Sequence, residues 1–298
     1  MHNQYLISFF LGIVEGVTEF LPISSTAHLR IAEKLFDLPL GEPYWKLYTV
    51  VIQLGAILCL PVYFRARIVK FVRSFPIGEN NDRTILTHPL TLVMIAFIVT
   101  AGPSWLLTKT IGKNLDNFNV IGAALLIGGA AMWGVDVLFT APHVDSMEQM
   151  TLFQAIWIGA CQILSAVFPG TSRSMVTIAA GQVSGMTRAA ALEFSFFLSM
   201  PTMLVATGYA LLKAIRPEKA VTQTGIVAAE VFSPGKMSSQ QWILLAIGFV
   251  VSFFVAFGVV AWFMNWVRRR GFAPFAIYRI LLGIAVLIWV RNLAPHPA

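Results

Sequence analysis

Long apolar runs separated by short polar or charged breaks recur along the whole chain. Several come close to the roughly 20 residues that a helix needs to cross about 30 Å of hydrocarbon. Six runs predict full spans, at about 45–64, 89–111, 118–140, 186–212, 241–266 and 274–291. The segments between them carry turn or charge signals: Ser74 to Asp82, Lys113 to Asn117, Ala141 to Met150, Arg216 to Gln240 and Arg268 to Gly271. These are expected to be aqueous connections.

Two further apolar segments are too short and too broken to span. One covers about 5–36 and is interrupted at Leu21-Pro22-Ile23-Ser24-Ser25; the other covers about 153–184 and is interrupted at Phe168-Pro169-Gly170-Thr171-Ser172. Proline removes a helix donor and small hydroxyl residues follow it each time, so a helix should stop there. Non-helical backbone at membrane depth survives only where protein or a wet cavity satisfies it. Both segments are therefore expected to be re-entrant helix-loop-helix hairpins that meet inside the protein.

The two hairpins also align with each other at a constant offset, Gly12 with Gly159, Glu15 with Gln162, Pro22 with Pro169, and Ser24-Ser25 with Thr171-Ser172. Three predicted spans lie between them, so hairpins that each enter and leave on one side must enter from opposite faces, as in inverted-repeat transporters. The expected fold is an all-α integral membrane protein with six transmembrane helices and two re-entrant hairpins in an inverted repeat. It forms a single membrane domain over 1–298, with repeat 1 at about 1–111, repeat 2 at about 150–266, and the spans 118–140 and 274–291 outside them. Lys and Arg divide almost evenly between the two sides. The densest basic runs, Arg65 to Arg73 and Arg268 to Arg270, fall on one side, which favours that side as cytoplasmic. Both termini and the first hairpin would then face outward.

Composition supports the membrane reading: 57% of the 298 residues are hydrophobic and 12% charged, against about 25% charged in an average soluble domain. Mean hydropathy is +0.75. The net charge of +7 does not signal nucleic acid, because the basic residues sit in short runs flanking apolar segments and leave no soluble basic face. Cys59 and Cys161 lie far apart in apolar runs and read as packing residues. Met1 to Ser8 has no basic n-region or small-x-small site, so a removed signal peptide is not expected.

Charges within apolar runs mark the chemistry. Glu15 and Glu19 are four residues apart and project from one helix face toward the first break. Each ionised residue at the bilayer centre costs at least about 2.5–3.5 kcal/mol, so the pair calls for a metal, a proton or a basic partner. The second hairpin supplies Pro169-Gly-Thr-Ser-Arg-Ser-Met-Val-Thr177, in which Arg173 is the one basic side chain. A guanidinium offers a planar fork of donors suited to phosphate and stays charged when desolvated. Gly170, Thr171, Ser172, Ser174 and Thr177 let backbone N–H groups approach an anion, and a restarting helix points its positive end at it. If the tips meet, Glu15, Glu19, Ser24, Ser25, Thr26, His28 and Arg173 converge, with Gln53 of the first span placed to hydrogen-bond a tip. Such a group suits phosphoryl transfer, which relies on positioning and charge stabilisation. A carboxylate or His28 would activate the nucleophile, either Ser25 or water, and His28 or Glu19 would protonate the leaving phosphate.

Structural readings stand beside these. Glu15 and Glu19 could form an intramembrane ion pair with Arg173, His28 could be a hydrogen-bonded core histidine, and hydroxyl residues at a helix break are often caps. Glu193, five residues after Arg188, reads as snorkelling or a structural pair. Arg279 either supports the site or packs. Phe194 to Phe197 read as lipid-facing or core packing.

At these residues the sequence resembles the undecaprenyl-diphosphatase family, also called the bacitracin-resistance protein family. That family carries an ExxxE motif followed by Ser-Ser-Thr-Gly-His, and a Pro-Gly-x-Ser-Arg-Ser-x-x-Thr motif. They correspond here to Glu15 through Glu19, Ser24 through His28, and Pro169 through Thr177, and the resemblance extends to Val51–Gly55, Glu193–Phe196 and Pro274–Arg279. Ala27 stands where the family has glycine, and Met175 where it has a small residue. The resemblance implies hydrolysis of undecaprenyl diphosphate to undecaprenyl phosphate and inorganic phosphate, which recycles the lipid carrier for cell-wall synthesis and confers bacitracin resistance. It also implies magnesium or calcium, held by Glu15 and Glu19, and a site open to the outer face of the bacterial cytoplasmic (inner) membrane. Glu15, Glu19, Ser25, His28 and Arg173 take the catalytic assignment. Ser24, Thr26, Gly170, Thr171, Ser172, Ser174, Thr177 and Gln53 form the substrate-binding set. The expected partners are undecaprenyl diphosphate and bilayer lipid, without nucleic acid, and a homodimer is kept open.

The main competing function is a transporter or flippase of the polyprenyl carrier, since inverted hairpins with ionisable residues at mid-membrane also describe alternating access. A transporter needs no nucleophile or acid, so clustered serines, a histidine and Arg173 beside two carboxylates favour hydrolysis. A phosphatidic-acid type of phosphatase would need two active-site histidines. Here only His28 lies in a motif, whereas His2, His88, His143 and His296 sit near predicted loops or ends.

Overall fold

The computed structural model describes residues 3–39, 42–79, 82–107, 117–215, 219–222, 225–228 and 237–293. Among them the chain forms eleven α-helices: α1 (Gln4–Thr18), α2 (Ser25–Leu35), α3 (Pro43–Tyr63), α4 (Arg65–Ser74), α5 (Pro89–Leu106), α6 (Phe118–Leu138), α7 (Leu152–Val167), α8 (Arg173–Val183), α9 (Arg188–Ile215), α10 (Ser239–Arg269) and α11 (Ala273–Leu293). Six of them, α3, α5, α6, α9, α10 and α11, are long and apolar enough to cross a membrane. They fall on the six runs read from the sequence. The chain is a multi-pass membrane protein.

Local signals set the helix ends. Pro43 and Pro89 open α3 and α5 in the first turn, where a missing N–H is harmless. Thr151 and Ser238 make capping boxes at α7 and α10. The end of the expected 89–111 span, residues 113–116 of the next loop, parts of the 216–240 connection, His2 and His296 lie outside the described residues.

Two elements differ from expectation. The basic run after the first span is itself a helix, α4, because Arg65-Ala-Arg-Ile-Val-Lys-Phe-Val-Arg-Ser74 places apolar residues at helical spacing and Phe71 is buried. The 216–240 connection contains a two-stranded antiparallel hairpin, β1 (Lys219–Thr222) and β2 (Gly225–Ala228), with Lys219 opposite Ala228 and Thr222 opposite Gly225. Its β-branched Val221, Thr222, Ile226 and Val227 favour extended backbone. The membrane-spanning part is all helical.

The four hairpin helices contain 15, 11, 16 and 11 residues, each short of a full crossing. They pack in an exchanged pattern. α1 lies on α10 and α7 lies on α5, while α3 packs on both α9 and α10. Small residues permit the close approach: a Cβ on Gly12 would lie 2.9 Å from the Gly248 carbonyl oxygen, and one on Gly159 2.5 Å from that of Ala96. α6 and α11 form a separate packed pair whose α6 also touches α8.

Ion pairs fasten the end that carries the basic runs. Arg67 of α4 reaches Glu193 of α9 (2.8 Å) and Glu148 of a single 3₁₀ turn, Met147–Gln149. Arg188 holds Asp136 (2.6 Å), whose other oxygen accepts from the Phe272 N–H. Glu193 is thus in a structural pair, but its partner is Arg67 rather than its near neighbour Arg188. Burial pushes the Glu148 carboxyl up, and the Arg67 guanidinium more than offsets this, holding it below the usual carboxylate range. Phe194, Phe196 and Phe197 are core residues, Phe196 packed against Phe20 and Phe263 and Phe197 against Phe64.

Candidate active site between the two hairpin tips

Both chain breaks end in the same device. Ser24 and Ser172 cap the restarting helices α2 and α8, each accepting from the N–H three residues on (Ala27 and Met175). Both have positive φ, 75° and 69°. A non-glycine residue in that region stores strain that its surroundings must hold in place. Pro22 lies two residues before its cap and Pro169 three, so the second tip is one residue longer. Gly170, at φ 93°, takes the extra turn. The aligned serine caps are therefore Ser24 and Ser172, one step off the constant sequence offset.

The tips meet. Ser174 Oγ donates to the Leu21 carbonyl (2.9 Å) and Arg173 Nη2 donates to Glu19 Oε1 (3.2 Å). Arg279 of α11, fully buried, donates to carbonyls of both tips: Nη1 to Pro22 O (3.1 Å), and Nη2 to Gly170 O (3.2 Å), Thr171 O (3.0 Å) and Ala124 O of α6 (3.1 Å). Of the two sequence readings of Arg279, support of the site is the one the geometry carries. Arg279→Leu is expected to destabilise the fold by about 2–3 kcal/mol or more, since each buried carbonyl left without a donor costs about 1–3 kcal/mol. A thermal unfolding midpoint in detergent equal to that of the unaltered protein would remove Arg279 from this role.

A cavity of about 370 Å³ opens between the tips. Its wall includes Glu19, Ser24, Ser25, Thr26, Gln53, Gly170, Ser172 and Arg173, so most of the site residues read from the sequence converge there. Glu19 is the C-cap residue of α1, and its two oxygens are both engaged: Oε1 by Arg173 and Oε2 by Ser25 Oγ at 2.6 Å. That length belongs to a charge-assisted O–H···O bond. Arg173 also donates Nη1 to Ser195 O (3.4 Å), while its buried Nε has no hydrogen-bond partner among the described residues.

Other expected residues lie elsewhere. Glu15 is fully buried behind the wall, its oxygens lack hydrogen-bond partners among the described residues, and it lies within electrostatic reach of Glu19. Two adjacent carboxylates are tolerable only with a shared proton or a cation. Thr171 lines a different, apolar cavity of about 620 Å³ among α6, α7 and α8, which Cys161 also lines. Ser174 and Thr177 sit inside the hairpin, Thr177 bonded to Arg173 O and Ser195 Oγ (3.0 and 2.6 Å). These two hydroxyls brace the Arg173 turn.

His28 faces away from the cavity wall. It lines a lateral apolar pocket of about 540 Å³ with Trp262, Trp266 and Tyr278. Nδ1 is 2.7 Å from the Ser24 carbonyl, which can only accept, so Nδ1 carries the proton. Nε2 then accepts from the Tyr278 hydroxyl (2.7 Å), the rings stacked at 12°. His28 is thus half-buried at the edge of the protein and hydrogen-bonded at both ring nitrogens, and Tyr278 is a partner that sequence spacing did not reveal.

The donor chemistry fits a hard cation in kind. Carboxylate and hydroxyl oxygens gather at Glu15, Glu19 and Ser25, and Glu15 brings two unpartnered oxygens. No group of three or more His, Cys, Asp or Glu assembles among the described residues. The remaining ligands of a magnesium or calcium ion would therefore be phosphate oxygens and water, as is usual for magnesium at phosphates.

A family model described as Bacitracin resistance protein BacA matches residues 8–285. A protein of Koribacter versatilis named Undecaprenyl-diphosphatase is 62% identical over 96% of this chain and 98% of its own length. Proteins with the same name from Rhizorhabdus wittichii and Caldanaerobacter subterraneus are 38% and 36% identical over 97% and 98% of this chain, covering 99% and 98% of their own lengths. By this match across nearly the whole sequence, the chain belongs to the bacitracin resistance protein family.

Proposed function

We propose that the chain hydrolyses undecaprenyl diphosphate to undecaprenyl phosphate and inorganic phosphate in the cavity between the tips, returning the lipid carrier to cell-wall synthesis. The carrying observation is the Arg173–Glu19–Ser25 series, a guanidinium, a carboxylate and a hydroxyl in hydrogen-bond contact on one cavity wall. The name shared by the relatives supplies the lipid; the site supplies the reason for a diphosphate.

Arg173 binds the terminal phosphate through its free Nε and neutralises charge as the bridging bond breaks. Glu19, already accepting the Ser25 proton, acts as general base, and Ser25 Oγ attacks phosphorus. Ser24, Thr26, Gly170, Ser172 and Gln53 line the anion's place, and the N-termini of α2 and α8 begin there. Thr171, Ser174, Thr177 and His28 act by shaping the tips, His28 by holding the Ser24 carbonyl of the strained turn. A divalent ion at Glu15 and Glu19 would offset the diphosphate charge.

The hairpins are proposed to be re-entrant from opposite faces, as two inverted repeats that exchange partners, α1 on α10 and α7 on α5. Arg65 to Arg73 and Arg268 to Arg270 would be cytoplasmic, and the site would open outward from the inner membrane. Removal of undecaprenyl diphosphate at that face would also account for bacitracin resistance on overproduction.

The test is phosphate release from undecaprenyl diphosphate by detergent-purified protein. Activity is expected to disappear with EDTA and to return with added magnesium or calcium. Full activity in EDTA after exhaustive dialysis would remove the cation, and no release from folded protein in several detergents and in liposomes would overturn the hydrolase reading.

A further inference from the structure

The cavity has a second polar wall, contributed by α5, α7 and α9, in which only Gln162 was marked by the sequence, as the counterpart of Glu15. Gln162 of α7 lines it and is 1% exposed. Its Nε2 donates to Thr100 Oγ1 of α5 (3.0 Å) and to Thr202 Oγ1 of α9 (3.3 Å). Both threonines have already committed their single hydroxyl protons to backbone carbonyls. Thr100 donates to Ala96 O (2.9 Å) and Gly159 O (2.7 Å), and Thr202 to Leu198 O (2.7 Å). They can therefore only accept from Gln162, which fixes the amide with its nitrogen toward them. The opposite atom, Oε1, is buried and has no hydrogen-bond partner among the described residues.

An unpaired buried carbonyl costs about as much as a lost hydrogen bond, and here three helices hold it in that state. It is an acceptor only, so an ionised phosphate oxygen gains nothing from it; an O–H group does. We propose that Gln162 Oε1 accepts a hydrogen bond from an O–H group bound in the cavity, either the water consumed by hydrolysis or the P–OH of the phosphate produced. The inference rests on the hydrolase reading above. In its second half-reaction the water oxygen bonds to phosphorus as the P–Oγ bond to Ser25 breaks. The released electron pair stays on Oγ, which takes the proton held by Glu19, and both water hydrogens leave on dihydrogen phosphate. The O–H held by Gln162 as water thus becomes P–OH, and one acceptor serves both. Gln162 also occupies the position that Glu15 takes in the first hairpin, where the oxygens are likewise unpartnered.

The test compares Gln162→Met, which keeps size and removes the acceptor, with Thr202→Val, which removes one of the two groups orienting the amide. Steady-state phosphate release from undecaprenyl diphosphate is measured with and without added inorganic phosphate, beside the unaltered protein and Arg173→Ala. A roughly 10-fold lower kcat with unchanged phosphate inhibition, about the effect of one hydrogen bond, identifies the O–H donor as water. A roughly 10-fold weaker inhibition by phosphate, with kcat changed less, identifies it as P–OH. A smaller effect of the same kind is expected for Thr202→Val, which decides the matter if Gln162→Met does not fold. Values for both variants equal to those of the unaltered protein would overturn the inference, provided that protein is active and Arg173→Ala is not. An inactive unaltered protein would count instead against the hydrolase reading.

Discussion

Arg173→Ala is expected to lower kcat/KM for phosphate release by about 10³-fold or more, the range seen when a transition-state arginine is removed from phosphoryl transfer. The guanidinium has two kinds of donor here. Nη1 and Nη2 each commit one N–H, to Ser195 O and Glu19 Oε1, which fixes the plane of a side chain that lines the cavity, while Nε stands buried and unpaired among the described residues. Alanine removes the donor and the charge together. Lysine would restore charge without the planar fork, so Arg173→Lys should recover only part of the loss. Membrane insertion and a cooperative unfolding transition are the controls: stability falls because Glu19 loses its partner, but Ser174 and Arg279 still tie the tips through bonds that do not use the Arg173 side chain. A folded Arg173→Ala protein with near-normal turnover would remove the site from this wall of the cavity.

Much of this was legible in the sequence because few devices satisfy charge and broken helix in hydrocarbon. Six apolar runs of sufficient length had no alternative to spanning, and Pro22 and Pro169 followed by hydroxyl residues had to stop their helices. Glu19 and Arg173, expensive apart, had to find a partner, and each is the other's. What stayed hidden depends on direction rather than on residue type. Whether His28 faces the cavity or Tyr278 is set by the strained Ser24 turn, and spacing along α2 carries no trace of it. Glu15 occupies the same helix face as Glu19 but, one turn back, lies behind the wall. Gln162, Thr100 and Thr202 are neutral residues inside apolar runs, and their meaning comes from three helices brought together. Arg279 carried a signal, a fully charged group within a span, but its four carbonyl partners come from segments over 100 residues away.

Glu19→Gln should produce a loss of the same order as Arg173→Ala, about 10³-fold in kcat, for a separable reason. The amide keeps the size of the carboxylate and can still accept from Arg173 through its oxygen, so the tip contact survives. Its nitrogen, however, would face Ser25 Oγ with a donor where a base stood, reversing the 2.6 Å hydrogen bond. The serine is then held but not activated. Substrate binding should suffer less than turnover, which makes a fall in kcat with little change in KM the expected signature. Glu19 and Arg173 also stabilise one another, so removing either leaves a buried charge without its partner, a change that costs about 3–5 kcal/mol in a fully buried pair. Combining Glu19→Gln with Arg173→Ala should therefore restore part of the stability lost in Arg173→Ala while leaving turnover absent. If Glu19→Gln retained turnover within a few-fold of the unaltered protein, Ser25 would need no carboxylate, and the contact between them would be a cap that happens to line the cavity.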